Sequence, residues 1–240
     1  MLQLLMVLMK SISIVFPVHN EKNNLEELIS NWHNTLSDHQ LEHEFVIVED
    51  GSTDGTKELI IQLEKKFPII NLSQNDKRGY SKAVIDGIYA STKSYILCTD
   101  SDNQIKVASL IENLENFPTN EEFLMGYRNP RRDPFNRILY SKMFKLFHDF
   151  IFNSKLRDPS CPFVIGSKNL YLSMDKKKLL YMKEGFWWGF VGVCKISNYK
   201  IVEVPIIHFK RESGEAGYKL KNLFGIILRN IVGLLKIKFS

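Results

Sequence analysis

Residues 45–55, Phe45-Val46-Ile47-Val48-Glu49-Asp50-Gly51-Ser52-Thr53-Asp54-Gly55, pass from an apolar run rich in β-branched residues into a small, polar, glycine-bounded turn. Such a run reads as a buried strand. Beyond the turn, Leu59, Ile60, Leu63 and Phe67 recur at helical spacing, so the strand feeds a helix. The unit repeats on both sides. Upstream, Ile12-Ser13-Ile14-Val15-Phe16 stops at Pro17, and Leu25, Leu28, Ile29, Trp32 and Leu36 follow as one helical face. Downstream come a third strand (Ile69–Leu72), a third helix (Lys82–Ala90) and a fourth strand (Tyr95–Cys98). Strands alternating with helices predict a parallel, doubly wound α/β sheet, whose ligands bind beyond the carboxyl ends of the strands. After residue 126 the rhythm breaks into an Arg-rich loop, a predicted helix near 136–152, a short segment at 161–165, an aromatic patch and a strand at 201–204.

The chain has 240 residues, 44% hydrophobic and 25% charged, with 13 Gly and 8 Pro, which excludes disordered and collagen-like classes. Three well-separated cysteines (Cys98, Cys161, Cys194) support neither a disulfide scaffold nor a paired-Cys zinc site, and point to a reducing, cytoplasmic compartment. The net charge of +5 is local: residues 200–240 hold eight Lys/Arg against three Glu. Interleaved with Leu223, Phe224, Ile226, Ile227, Leu228, Ile231, Val232, Leu234 and Leu235, these cations suit an anionic membrane surface better than nucleic acid. The alternative is a docking helix with a solvated basic face. Lys221, Arg229 and Lys236 interrupt the run too often for a spanning helix. The leader MLQLLMVLM lacks a basic start and a cleavage site, and Met9 is the expected natural start.

Polar residues gather at the predicted strand ends: Asn20-Glu21, Asp50, and Asp100-Ser101-Asp102. Two carboxylates one residue apart on a turn offer hard oxygen ligands to a divalent cation, with Gln104 near enough to add a neutral one. A solvated Asx turn is the other reading. The turn at 51–56 lacks both the Lys-Ser/Thr of a P-loop and the glycine spacing of a dinucleotide fingerprint, which excludes nucleoside-triphosphate and NAD chemistry of those kinds. Asp50 is placed to accept from a nucleobase imide or a ribose hydroxyl, while Ser52, Thr53 or Asp54 caps the next helix. Arg128, Arg131, Arg132 and Arg137 put four guanidinium groups within ten residues. Planar forks suit phosphate oxygens, although a solvated basic loop would look the same. His148 and His208 stand alone among apolar neighbours and read as packed or surface histidines. Trp187-Trp188 stack on a sugar, sit at a lipid interface or pack in the core.

PVHNE, VEDGSTDGT, the Asn75–Ala83 run N-x-x-R-G-Y-S-K-A and DSDNQ, in this order, resemble the family 2 inverting glycosyltransferases of the GT-A fold over about residues 12–126. Gly126-Tyr127-Arg128, Arg137 with Ser141, Asp158-Pro159-Ser160, and Val204-Pro205 followed by Arg211 and Gly214 more loosely resemble the polyprenyl-phosphate branch, which includes the dolichyl-phosphate mannose synthases. The resemblance implies an α/β GT-A fold: a Rossmann-like, mostly parallel central sheet flanked by helices, with a C-terminal amphipathic helical tail. It implies one domain over 1–240, divided at about 10–126 for the nucleotide-sugar, 127–215 for the acceptor and 216–240 for the tail. Pro17, Asn20, Glu21 and Asp50 would line the nucleobase and ribose; Arg78-Gly79 would approach base and diphosphate; Asp100, Asp102 and Gln104 would hold Mg²⁺ or Mn²⁺, with Ser101 between them. Arg128, Arg137, Ser141 and Arg211 would grip acceptor phosphate and donor diphosphate. The sequence departs from the family's habit at His19, Glu49, Cys161-Pro162-Phe163 and Gly214-Glu215-Ala216, and no Pro follows DSDNQ.

The expected function is inverting, metal-dependent transfer of a sugar from a UDP- or GDP-sugar to a polyprenyl phosphate, peripherally at the cytoplasmic face of a membrane, with no nucleic-acid partner. A phosphate acceptor is already anionic and needs no general base; a saccharide hydroxyl, the second reading, needs a carboxylate such as Asp158 or Glu184. A non-catalytic sugar-nucleotide-binding module is the third. Base, sugar, acceptor and oligomeric state stay open.

Overall fold

The computed structural model describes residues 11–210 and 223–240. The first four strands are β1 (Ile12–Val18), β2 (His43–Glu49), β3 (Ile69–Asn71) and β4 (Tyr95–Thr99), with helices α1 (Leu25–Asp38), α2 (Thr56–Leu63) and α3 (Tyr80–Ala90) between them. After β4 come α4 (Ala108–Ile111), a 3₁₀ turn, β5 (Glu122–Arg128), α5 (Phe135–Phe152), β6 (Phe163–Ser167), α6 (Lys168–Leu172), α7 (Lys176–Leu179), α8 (Phe186–Ile196), β7 (Lys200–Ile206) and α9 (Leu223–Phe239).

The seven strands form one sheet in the order β3-β2-β1-β4-β6-β5-β7. β1 lies parallel to β2 and β4, and β2 parallel to β3, so the doubly wound expectation holds for the first half. The central strands are apolar almost throughout because helices cover both faces. On α1, Leu25, Leu28, Ile29, Trp32 and Leu36 are buried, and Trp32 meets Phe16 of β1 edge-on with ring centroids 5.5 Å apart. Helix α3 rests directly on the sheet at Gly87, where a Cβ would stand 2.4 Å from Val15 Cγ1.

The short segment after residue 160 is β6, antiparallel to both β4 and β5. Inserting one reversed strand restores β5 to the direction of β4, so the carboxyl ends of β1, β2, β4 and β5 share one edge. The aromatic patch is helix α8, with Trp187 and Trp188 buried, so core packing is the reading that holds for this pair. His148 and His208 are buried as well.

In the tail, α9 packs on α8, α5 and α7 through Ile226, Leu234 and Ile237, while Leu228, Val232, Leu235 and Phe239 form an exposed stripe. Docking helix and exposed apolar face are thus both present. No described helix is long and apolar enough to cross a membrane. The leader with Met9, Arg211, Gly214–Ala216 and the start of the tail lie outside the described residues.

Candidate active site

Three turns meet at the sheet edge and are stitched to one another. Asn20 donates its N–H to Ser52 Oγ at 2.9 Å and accepts from Thr53 N at 2.8 Å. Glu21 N donates to Thr56 Oγ1, and its carboxylate accepts from Asn24 Nδ2. Asp54, rather than Ser52 or Thr53, takes the Thr56 N–H at the start of α2. Ser101 Oγ donates to Pro17 O at 2.9 Å, tying the β4 turn to the end of β1. Asn20, Glu21, Ser101 and Pro17 therefore shape the floor of the edge.

Asp50 is buried, and its Oδ1 and Oδ2 accept the Gly79 N–H at 3.2 and 3.1 Å, with the Arg78 N–H also on Oδ1. Gly51 (φ +72°) lies against the strap at 75–77: a Cβ there would stand 3.1 Å from Asn75 O and 3.2 Å from Lys77 N. The Arg78 side chain turns inward, to Asp86 at 3.0 Å and to the carbonyls of Leu72 and Glu49. The Arg78 guanidinium thus braces the strap itself, while Asn75, Asp76 and Lys77 are its exposed residues.

At the end of β4, Asp100 Oδ1 accepts from Tyr80 OH at 2.6 Å, and Tyr80 in turn accepts from Trp187 Nε1 at 2.9 Å. Burial, then the neighbouring Asp102 charge, raise the Asp100 pKa well above the ordinary carboxylate range, opposed by the Tyr80 hydrogen bond and the positive Arg128 and Arg137. Such mutual repulsion is what a divalent cation relieves. Asp102 Oδ1 accepts from Gln104 N at 3.2 Å. Gln104 Nε2 donates to Phe209 O at 3.0 Å, and Phe209 N to Gln104 O at 2.9 Å, so the loop after β7 backs the β4 turn. Among the described residues no three His, Cys, Asp or Glu side chains gather as a cage. Two carboxylates fit a hard cation whose other ligands are diphosphate oxygens and water, the habit of Mg²⁺ and Mn²⁺ sites.

Beside this turn lies the arginine cluster. Arg128, at the end of β5, grips Asp158 with two bonds, Nε to Oδ2 at 2.7 Å and Nη2 to Oδ1 at 2.9 Å, and donates to Ser160 Oγ at 2.7 Å. Burial alone would raise the Asp158 pKa; the hydrogen bonds and charge of Arg128, with Arg131, hold it down at about 2. Asp133 gathers Arg131 at 2.6 Å, Arg137 at 3.1 Å and Arg128 at 3.5 Å. Ser141 accepts from Arg131 at 2.9 Å. Arg137 and Ser141 share a face of α5, as their spacing predicts, but the guanidinium on Ser141 is that of Arg131. Arg137 is half exposed. His208 Nδ1 accepts the Arg132 N–H at 3.1 Å. Glu184 is held by Arg229 of α9, Nη2 to Oε1 at 2.8 Å.

Tyr80, Asp133 and Trp187 are the members sequence reading did not assign. Asp133 had a signal, standing four residues before Arg137 where an ion pair forms on a helix start. Tyr80 and Trp187 are 107 positions apart, and no local pattern links them.

The glycosyl transferase family 2 model matches residues 13–180. The dolichol-phosphate mannosyltransferase of Pyrococcus furiosus is 29% identical over 233 residues, covering 94% of this chain and 64% of the relative, so the chain spans under two thirds of that protein. Among solved structures, glucosyl-3-phosphoglycerate synthase from Mycobacterium tuberculosis with phosphoglyceric acid superposes with TM-score 0.67 at 16% identity, covering 96% of this chain and 80% of that one. Mannosyl-3-phosphoglycerate synthase from Rubrobacter xylanophilus gives 0.64 at 14%, covering 95% and 73%. These two share the GT-A fold with this chain. With a family model over more than half its length, and a sheet edge built as described, the chain belongs to glycosyl transferase family 2.

Proposed function

We propose that the protein transfers a sugar from a nucleoside-diphosphate donor to a polyprenyl phosphate held at a membrane surface. The observation that carries this reading is the two-sidedness of α5. Its inner face carries Arg137 and Ser141 at the arginine cluster and, further along, the buried His148 and Phe152. Its outer face carries Phe135, Leu139, Met143, Leu146 and Phe150, of which Phe135, Leu146 and Phe150 are 80%, 72% and 88% exposed. Five large apolar side chains on one face cost too much in water to be left without an apolar neighbour. Lys142 borders the stripe on one side, with the Lys145–Asp149 ion pair further round the helix, so a cation stands beside an apolar face that suits a lipid surface. One helix thus offers a phosphate contact inward and a lipid contact outward. The curated relative named for dolichol phosphate supports the same acceptor class. The synthases that resemble the chain in fold are named for phosphoglycerate, another phosphorylated compound.

In this reading the acceptor phosphate oxygen attacks the anomeric carbon from the face opposite the diphosphate. The new carbon–oxygen bond forms as the old one breaks, and its electron pair leaves on the nucleoside diphosphate, inverting the centre. Asp100 and Asp102 would hold Mg²⁺ or Mn²⁺, which when bound neutralises charge on the diphosphate. The chain's own task is positioning: the Arg78-Gly79 backbone and Asp50 order the donor edge, and the arginines orient two anions that repel each other. A hydroxyl acceptor is less well served, because both carboxylates at hand are already engaged, Asp158 by Arg128 and Glu184 by Arg229.

Comparing Arg137→Lys with Glu184→Gln tests the acceptor. Lysine keeps the charge and loses the planar fork, so transfer should fall at least tenfold while donor affinity holds, and Glu184→Gln should transfer at near wild-type rate. A silent Arg137→Lys beside a dead Glu184→Gln would establish the hydroxyl reading instead.

A further inference from the structure

The hydrogen bonds behind Asp100 run in one direction only. The indole Nε1 of Trp187 is a donor and nothing else, so the Tyr80 oxygen must accept from it, and the single Tyr80 proton is then directed at Asp100 Oδ1. The phenol has no rotational choice left. Asp100 Oδ1 is committed as an acceptor, which fixes the rotation of the carboxylate and leaves Oδ2 as the oxygen that would serve a cation. Trp187 is itself immobile, packed edge-on against Phe186 and Phe190 with centroids 5.0 and 5.5 Å away. Tyr80 also opens α3 directly after Gly79, whose N–H binds Asp50. Two successive residues therefore hold the carboxylates at the ends of β2 and β4.

We propose that Tyr80, braced by Trp187, is a positioning residue that orients the Asp100 carboxylate for a divalent cation and couples that orientation to the strap contacting Asp50. The inference rests on the metal reading of Asp100 and deepens it. Ligand-orienting partners of this kind are worth about 10–100-fold in metal affinity.

The test is Mn²⁺ binding to the full chain, followed by electron paramagnetic resonance, with UDP and with GDP in parallel, and nucleotide affinity in EDTA as the second readout. Tyr80→Phe keeps the ring and removes the hydroxyl. Its Mn²⁺ affinity should fall about tenfold with the EDTA affinity near wild type, while the melting temperature drops modestly because the buried Trp187 Nε1–H loses its acceptor. A merely structural role would move the metal-free affinity equally. Trp187→Phe should lose metal affinity in the same direction by a smaller factor, and it decides the matter if Tyr80→Phe proves too unstable to titrate. Wild-type Mn²⁺ affinity in the variant titrated overturns the inference. Asp100→Asn is the reference. If it too binds Mn²⁺ normally, the metal reading itself is wrong; if it alone loses the metal, only the role of Tyr80 and Trp187 is.

Discussion

The Arg128 guanidinium and the Asp158 carboxylate form a buried two-bond pair 30 positions apart in sequence, joining the end of β5 to the turn before β6. Removing one partner leaves the other's buried charge with only longer ion-pair contacts, Arg128 to Asp133 at 3.5 Å or Asp158 to Arg131 at 3.8 Å, so the cost should approach the ~3–5 kcal/mol of a broken buried pair. Asp158→Ala and Arg128→Ala should each lower the urea midpoint strongly, and the double variant should lose less than their sum. Additive losses would show that the pair is not coupled. A stable but transfer-dead Asp158→Asn, beside a wild-type rate that falls as that carboxylate protonates, would instead make Asp158 a general base.

Stability should decline early on acidification. Burial first of all depresses His148 and His208, each to about 4, against an unfolded value of about 6.5. Above pH 6.5 both are neutral folded or unfolded. Between about 6.5 and 4 the unfolded chain takes up protons on these histidines that the native one does not, so stability falls by up to about 1.4 kcal/mol per pH unit for each; the raised pKa of Asp100 acts in the opposite direction and offsets about one of the two, leaving a net fall. From about 4 towards 2, protonation of Asp158 adds a further loss. Urea midpoints across this range check it, and His148→Gln should flatten the upper segment. A midpoint that does not move between pH 7 and 5 contradicts the account of both histidines.

The outer face of α5 should bind lipid without supporting the fold. Leu146→Gln and Phe150→Gln alter exposed side chains, so the melting temperature should stay within the small range of surface substitutions. Co-sedimentation with phosphatidylglycerol-containing vesicles should drop severalfold. Raised salt should weaken wild-type binding only in part, since it screens Lys142 and leaves apolar insertion. Unchanged sedimentation of the double variant would remove α5 from the membrane.

Asp102→Asn should leave the fold intact and abolish the gain in donor affinity that Mn²⁺ provides, because an amide supplies no negative charge for the cation. Calorimetry with and without the metal reads this directly. An undiminished gain would place the cation elsewhere.

Half the molecule was legible because β1, β2 and β4 are buried almost throughout and run into short polar turns: Phe45–Val48 before Asp50-Gly51 is the clearest case. β6 was not read as a reversed strand, since Phe163–Ser167 carries no turn signal that distinguishes antiparallel insertion from another parallel strand. The site divides the same way. Asp50, Asp100 and Asp102 stand at strand ends and so announce themselves. Their partners do not: Glu184 and Arg229 are 45 positions apart, and Tyr80 opens a helix like any aromatic residue. Even where spacing was informative, it named a face and not a contact, so Arg131 rather than Arg137 meets Ser141.

The central claim, sugar transfer to a lipid phosphate, is tested most directly by incubating the full chain with membrane lipid extract, Mn²⁺ or Mg²⁺, and a panel of radiolabelled UDP- and GDP-sugars, then partitioning the products. The account predicts that one donor delivers label to the organic phase in a product released by mild acid, and that Arg137→Lys suppresses it. Label confined to an acid-resistant, water-soluble glycan, undiminished in Arg137→Lys, would contradict it.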